Sequence, residues 1–104
     1  MSAPVPKFDP VIHAPTRLQI ASMLSAVSEA EFGFLRDAAK VSDSVLSKHL
    51  SQMQEAGYVR LRKAALAGRQ RTWLSLTREG RGAFVAHVKA LEQLVRAADR
   101  IAAE

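Results

Sequence analysis

Residues 60–77 read RLRKAALAGRQRTWLSLT, a stretch in which basic and apolar residues alternate on both sides of Ala67-Gly68. Five of its residues are Arg or Lys, and none is acidic. Alternation with a period of two is typical of a β-strand whose two faces meet different environments. Gly68 tolerates the positive φ that a tight turn requires. The stretch therefore predicts a basic β-hairpin, with two short strands around a loop at Ala65–Gln70.

The positive charge of the chain is concentrated around this hairpin. Residues 58–82 contain seven basic residues and one acid, whereas residues 1–57 contain five basic and six acidic residues. The formal net charge of all 104 residues is +5. A focused cationic segment suggests a polyanionic partner, either nucleic acid or an anionic membrane surface. No apolar run approaches the roughly 18 residues of a membrane-spanning helix, so no such helix is predicted.

Length and composition limit the other possibilities. A chain of 104 residues that is 48% hydrophobic can bury one small core, which predicts a single domain. Because it contains no cysteine, it has no disulfide framework and no thiolate metal site. The N-terminal MSAPVPKFDP lacks the apolar core of a signal peptide. We expect a flexible N-terminal arm over residues 1–9 and a cytoplasmic protein.

Two helices are predicted in the first part of the chain. Pro15 suits a first helical turn, which places a helix at about 15–26 after a short turn. Its apolar face comprises Ile20, Leu24 and Val27. Ser28 and Glu31 have the spacing of a capping box, which predicts a second helix over about 29–40. The inward residues of that helix are Phe32, Leu35 and Ala39.

The third helix is predicted over residues 43–56 from signals at both ends. Ser42 is a favourable N-cap, and Gly57 is the residue type that ends helices in a left-handed conformation. Its inward stripe comprises Leu46, Leu50 and Met53. Because only a very short turn separates it from the second helix, the pair predicts a helix-turn-helix with the hairpin directly after it.

A long last helix is predicted over about 78–102, with Thr77 as its N-cap. Apolar residues recur along it at spacings of four and three, as in a coiled-coil seam. The seam comprises Phe84, Val88, Leu91, Val95 and Ala98. Since the helix is longer than a small core needs, we expect the seam to form a dimer. The predicted class is thus mainly α with a small β-hairpin.

The order of these elements resembles the winged-helix DNA-binding domain of MarR- and ArsR-type bacterial transcriptional regulators. The similarity covers roughly residues 11–95 and is greatest to the small single-domain MarR-like subgroup. It is carried by HAPTRLQIASML, VSDSVLSKHLSQMQEAGYV and GRQRTWLSLTREGRGAF. The chain departs from MarR proteins in having only one long terminal helix, and from many ArsR proteins in having no cysteine.

The resemblance implies a homodimeric transcriptional regulator, a repressor, that binds pseudo-palindromic double-stranded DNA. Residues 10–82 would form the winged helix-turn-helix domain, and residues 83–104 the dimerisation helix of that domain. The helix at 43–56 would enter the major groove, and the basic wing at 60–71 would contact flanking backbone or the minor groove. The alternatives are a protein–protein interaction module, or a sensor that binds a small molecule or metal in the dimer interface.

Ten residues are the candidates for DNA contact. On the third helix they are Ser44, Val45, Ser47, Lys48 and Ser51, and in the wing they are Arg62, Lys63, Arg69, Gln70 and Arg71. Serine hydroxyls and Lys48 suit phosphates or base edges, and Val45 suits a thymine methyl group. The alternatives are an ordinary solvated helix surface and a charged edge that prevents sheet aggregation. Strand alternation also predicts that Val59 and Leu61 are buried.

The remaining polar and aromatic residues are given structural roles. We expect Trp73 to pack in the core or in a dimer interface, and Tyr58 to pack where the third helix meets the strand. His49 is expected to be partly buried beside the inward stripe. Zinc binding by His87 and Asp99 would require two chains, because three helical turns separate them. No nucleophile constellation, acid pair or phosphate-cradling loop is present, so the sequence predicts neither an enzyme, a cofactor nor a metal site.

Overall fold

A computed structural model describes residues 7–103 of the chain, which form five helices and three strands. In chain order they are α1 (Pro10–His13), α2 (Pro15–Ser25), β1 (Ala30–Glu31), α3 (Phe32–Ala39), α4 (Asp43–Glu55), β2 (Val59–Leu66), β3 (Arg69–Leu76) and α5 (Arg78–Ala103). The predicted class, a helix-turn-helix followed by a hairpin and a long helix, is confirmed. Residues 1–6 of the predicted arm lie outside the described residues.

The sheet is antiparallel in the order β1–β3–β2, so β3 lies in its middle. Strands β2 and β3 form the predicted hairpin, which is called the wing below. Its register pairs Val59 with Leu76 at the base and Leu66 with Arg69 at the tip. Ala67 and Gly68 both have positive φ, 52° and 77°, as a two-residue type I′ turn requires. The loop is therefore shorter than the predicted Ala65–Gln70.

The predicted start of the second helix is wrong. Ala30 and Glu31 form β1, paired with Leu74 and Trp73, and α3 begins only at Phe32. Ser28 makes no cap, because pairing with β3 holds the following residues extended. The Glu31 carboxylate does not reach back as a capping box requires; it accepts a hydrogen bond from Arg71.

The turn between α3 and α4 has the tight geometry of a helix-turn-helix. Lys40 ends α3 with a left-handed φ of 56°. The hydroxyl of Ser42 then accepts a hydrogen bond of 3.2 Å from the amide of Val45, which confirms the predicted N-cap of α4. Gly57 has a φ of 79° directly after the helix, as predicted for its termination.

The core lies where α2, α3 and α4 pack on the inner face of the sheet. Its buried side chains include Ile20, Leu24, Leu35 and Leu74, together with the predicted inward stripe of α4. Val27, predicted to lie on the inner face of the first helix, is exposed because α2 ends at Ser25.

Helix α5 is closely packed at its start and exposed at its end. Gly80 donates its amide to the Thr77 hydroxyl at 2.9 Å, which confirms the predicted N-cap. A Cβ atom at Gly80 would lie 2.0 Å from the Tyr58 carbonyl oxygen, so only glycine permits this approach. Toward the other end, Leu94, Val95 and Ile101 are 51%, 60% and 74% exposed. The second half of α5 therefore extends beyond the core.

Candidate nucleic-acid interface

The five candidate residues of α4 lie together on its exposed side. Ser44, Val45, Ser47, Lys48 and Ser51, called the α4 face below, are all exposed, while Leu46, Leu50 and Met53 are buried behind them. Lys48 is the one charged member. Beside the face, Asp43 accepts a hydrogen bond of 2.9 Å from Arg36 of α3. The surface is small. Its hydroxyl and methyl groups are uncharged, and Lys48 is its single cation.

Arg17 of α2 fixes α4 from behind this face. Its guanidinium donates to the side-chain oxygen of Gln52, to His49 Nδ1 at 3.2 Å, and to the carbonyl of Val11. Burial lowers the pKa of His49, and the positive charges of Arg17 and Lys48 lower it further. Only a neutral imidazole has a ring nitrogen that can accept the hydrogen bond from Arg17. The predicted structural role of His49 thus has a defined partner, the Arg17 side chain of α2.

The strand register divides the wing into two unlike faces. Directly paired residues of antiparallel strands share a face, and successive residues alternate between faces. The pairs of Arg62 with Trp73, Ala64 with Arg71 and Leu66 with Arg69 therefore lie on one face. That face carries Arg60, Arg62, Arg69 and Arg71. Lys63 and Gln70 lie on the opposite face, which continues the inner side of the sheet.

The wing leaves the core soon after its base. Val59 is buried as predicted, but Leu61 is 37% exposed, so its predicted burial is wrong. The alternation itself is correct, because Leu61 pairs with the buried Leu74 on the inner face. Beyond this point the strands have too little of the protein beneath them to cover a side chain. Trp73 is half-buried.

Two of the four wing arginines are held by carboxylates. Arg62 donates from Nε and Nη2 to the two oxygens of Glu29, at 2.9 and 2.8 Å, and its guanidinium lies 5.9 Å from the centre of the Trp73 ring. Arg71 donates to Glu31 at 2.7 Å. The Arg62 hydrogen bonds hold the pKa of Glu29 below its usual value. The five basic residues of the wing form one cationic run in the sequence, but their contacts divide them into two sets.

Three wing cations differ from that pair. Arg60, Lys63 and Arg69 form no ion pair within the described residues, and all three are exposed. Arg69 lies at the tip, directly after the turn. These side chains are the ones that a phosphate can approach without displacing a carboxylate.

A hydrogen-bonded histidine cluster lies behind the junction of α4 and the wing. His87 of α5 is 1% exposed, and its Nδ1 accepts the amide of Asp9 at 3.2 Å. The other ring nitrogen lies 3.0 Å from Nδ1 of His13. The carboxylate of Asp9 caps α1 and also accepts the Tyr58 hydroxyl. His87 is thus an interior hydrogen-bonding group and not the surface residue that pairing with Asp99 would need.

The long-range contacts of this cluster leave no trace in the sequence, although one local signal marks its start. Asp9 followed by Pro10 is the pattern of an N-cap and first helical position. Nothing in the spacing joins His13 to His87, which lie 74 residues apart. Among residues 7–103, no three metal-binding side chains converge on one point.

The predicted seam of α5 straddles the edge of the packed region. Phe84, Val88 and Leu91 are half-buried, and Val95 and Ala98 are exposed. The face that α5 turns to the core is a different one, with Gly80, His87 and Ala90 buried. A shallow apolar groove beside the seam is lined by Phe84, Val85, Val88, Lys89 and Glu92. No helix within residues 7–103 combines the length and the apolar character needed to cross a membrane.

Known proteins resemble this chain both in sequence and in fold. An uncharacterised protein of Methanocaldococcus jannaschii is 29% identical over 84 residues, covering 81% of this chain and 91% of that protein. A transcriptional regulator homologue of Pyrococcus horikoshii has a TM-score of 0.80 at 22% identity, over 86% of this chain and 88% of that one.

A MarR family member shares the fold more distantly. Zinc-responsive ZitR of Lactococcus lactis has a TM-score of 0.63 at 20% identity, over 89% of this chain and 63% of that one. A variant of ZitR has been solved in complex with DNA. The family model described as a winged helix DNA-binding domain matches residues 16–95. This chain therefore belongs to the winged-helix DNA-binding domain family, and its structural neighbours are transcriptional regulators.

Proposed function

We propose that this protein is a transcriptional repressor that binds pseudo-palindromic double-stranded DNA as a homodimer. The observation that supports this most is the pairing of a small polar helix face with a cationic wing directly after it in the chain. The proposal gives α4 the major groove and gives the wing the flanking backbone or minor groove. It places the protein with DNA in the cytoplasm and includes no enzymatic step.

The α4 face suits base reading more than tight attachment. Ser44, Ser47 and Ser51 each offer a hydroxyl that donates or accepts, and Lys48 can donate to guanine or to phosphate. Val45 is exposed and can contact a thymine methyl group. Because a hydroxyl can donate to or accept from the edges of several bases, we expect modest discrimination between bases at the positions that the serines contact.

The wing supplies the salt-dependent part of binding. Arg60, Lys63 and Arg69 carry charge that no carboxylate of the described residues neutralises, and phosphate contacts by such groups release counterions. ZitR, which shares this fold, has been solved with DNA. That complex supports a DNA-bound state for the fold and leaves the operator of this protein to be found.

Homodimerisation is proposed from the second half of α5. Leu94, Val95 and Ile101 are exposed although they follow the apolar pattern of the helix. Pairing with a second copy would cover them, and a two-fold dimer would present two α4 helices to half-sites about 34–36 Å apart. A bound dimer would repress by excluding polymerase from the promoter.

The first experiment selects bound duplexes from a random pool and then titrates the selected duplex across a salt series. Log affinity should fall linearly with log salt, by about 0.9 for each phosphate neutralised. The selected sites should be pseudo-palindromic, and a reporter under such a site should be repressed in cells. Failure to bind any duplex at low salt would rule out the function.

The dimer is tested separately by sedimentation. Val95→Glu adds a charge to the exposed apolar side of α5, and truncation after Leu91 removes that half of the helix. Both should give monomers. Gln93→Glu adds the same charge on the other side of the helix and should leave the dimer intact. A dimeric truncated protein would show that the seam is only part of the core.

A further inference from the structure

We infer that Glu29 and Glu31 fix the orientation of the wing relative to α4 through Arg62 and Arg71. These two arginines orient the hairpin and do not bind phosphate. The inference rests on the proposed DNA-binding function. It divides the basic residues of the wing into two sets with different tasks, although the sequence shows them as one run.

The two carboxylates act at one face of the sheet. The register pairs Glu31 with Trp73 and Arg62 with Trp73, so these three side chains lie in one row across the sheet with the indole in the middle. Arg71 lies two residues before Trp73 on that face and reaches Glu31. The acids belong to β1 and the residue before it, and thus to the part of the chain that leads into α3.

The wing needs such a restraint because little else holds it. Strand β1 has only two residues, and β2 is mostly exposed beyond Val59. A two-stranded ribbon outside a core is marginally stable and twists freely. Ion pairs from its outer face to β1 therefore limit how far it swings relative to α4.

Arg71 is the less accessible of the two arginines. Its side chain is 33% exposed and its partner Glu31 is 32% exposed, so solvent screens this pair less than a fully exposed one. The Nε of Arg71 is enclosed and has no hydrogen-bond partner within the described residues. A guanidinium held in this way cannot reach outward for a phosphate without leaving its place in the sheet.

Displacing either arginine would also be electrostatically unfavourable. Arg62 makes two parallel hydrogen bonds to Glu29, and this fork geometry is among the stronger ion pairs of proteins. A phosphate that captured Arg62 would leave the carboxylate unpaired beside the polyanion. Phosphate contacts are therefore expected from Arg60, Lys63 and Arg69.

The decisive experiment measures DNA affinity of the full chain across a salt series for charge-neutralising variants. Glu31→Gln removes a negative charge near DNA, so electrostatics alone would tighten binding. A positioning role predicts the opposite: DNA affinity should fall by about fivefold, because the hairpin is no longer held in its orientation. Arg71→Gln and Arg62→Gln should weaken binding similarly and leave the slope against log salt unchanged. Arg69→Gln should reduce the slope by about 0.9.

A charge-exchange variant distinguishes a loss of wing orientation from a general loss of stability. Exchanging the charges in Glu29→Arg with Arg62→Glu restores an ion pair, and the double variant should bind DNA more tightly than either single variant. Tighter binding by Glu31→Gln, or a slope change in Arg62→Gln equal to that in Arg69→Gln, would overturn the inference while leaving DNA binding established.

A readout without DNA keeps the two proposals distinct. Amide hydrogen exchange in β2 and β3 should be faster in Glu31→Gln than in wild type, because the wing is less restrained. The exchange of α4 should not change. Unchanged exchange in the wing would refute the positioning role, whether or not the protein binds duplexes.

Discussion

The α4 face and the wing are neighbours in the fold and differ in almost every chemical respect. The α4 face consists of three serines, a valine and one lysine. The wing has three cations that form no ion pair with any residue from 7 to 103, along a hairpin with little core beneath it. A strong uniform positive potential attracts any nucleic acid and distinguishes no bases. The difference supports the proposal that phosphate attachment and base reading belong to separate elements, which are only a few residues apart in the chain.

Both surfaces depend on one junction. Tyr58 lies between the end of α4 and the start of β2, and its carbonyl accepts the amide of Thr77 at 3.0 Å. Gly80 packs against the same carbonyl, and the Tyr58 hydroxyl donates to Asp9. The packing of α5 on Tyr58 therefore helps to fix the base of the wing relative to α4.

The largest effect is expected from Gly80→Ala, which would disturb both surfaces together. The added Cβ would lie 2.0 Å from a backbone oxygen, so α5 must move away from the junction. We expect a loss of about 3 kcal/mol or more in the free energy of unfolding, measured by denaturant titration. Gly82→Ala is the matched control, since nothing lies within 4 Å of its added Cβ. It should stabilise by about 0.5–1 kcal/mol. Equal behaviour of the two variants would show that the junction is not tightly packed.

The next effect is expected from Lys48→Ala on the α4 face. If Lys48 donates to a base edge, its loss should change the ranking of duplexes, by about 1–3 kcal/mol at the position that it reads. Competition binding against single-substitution operators measures this. Gln54→Ala, which alters an exposed residue of α4 outside the face, should leave the ranking intact.

A smaller effect, and of a different kind, is expected from Arg69→Ala at the wing tip. Its loss should weaken binding to all duplexes alike. Because one phosphate contact fewer is made, the affinity deficit relative to wild type should shrink by about threefold between 50 and 200 mM salt. The same competition assay should show an unchanged ranking. A changed ranking would mean that the wing also reads bases and that the two regions are less distinct than proposed.

The smallest effect is expected from acidification, through the cluster behind the junction. Burial lowers the pKa of His87, the charge of His13 lowers it further, and Asp9 opposes them. Since the folded pKa lies below the unfolded one, the unfolded state binds more protons as pH falls below about 6.5. The contribution of His87 to the free energy of unfolding should therefore be constant above neutrality and decrease below it.

The carboxylate of the cluster adds a second loss at lower pH. Burial tends to raise the pKa of Asp9, but hydrogen bonds from Tyr58 and from the amides of Ile12 and Val11 hold it below its usual value. Its contribution is present above the unfolded pKa of about 3.9 and is lost as pH falls through the folded value. Denaturant titrations from pH 7.5 to 5.5 isolate the histidine part, and His87→Gln should flatten it. His49, whose pKa is also lowered, calls for His49→Gln as a parallel measurement.

The parts of this fold that sequence predicted are those decided within a few residues. Ser42, Gly57 and Thr77 each end or begin a helix through contacts three or fewer positions away, and each prediction was confirmed. Strand β1 was missed because two residues carry no periodicity and become a strand only by pairing with β3.

The candidate interface is likewise predictable only where residues close in the chain decide it. Which residues of α4 face solvent follows from its buried stripe, but the carboxylates that hold Arg62 and Arg71 lie 33 and 40 residues away along the chain. A count of charges in a segment cannot detect such partners. The roles of the candidate contact residues stay predictions until DNA binding is measured.

The exposed half of α5 has a mechanical consequence. From Ala90, the last buried residue of α5, to Ala103 the helix extends about 20 Å, at 1.5 Å for each residue. Tilting a rigid rod of that length by about 5° displaces its far end by about 2 Å. Sub-ångström repacking around Tyr58 and Gly80 is thus magnified along the helix, and any partner that covers its far end is moved by an amount that an interface can register.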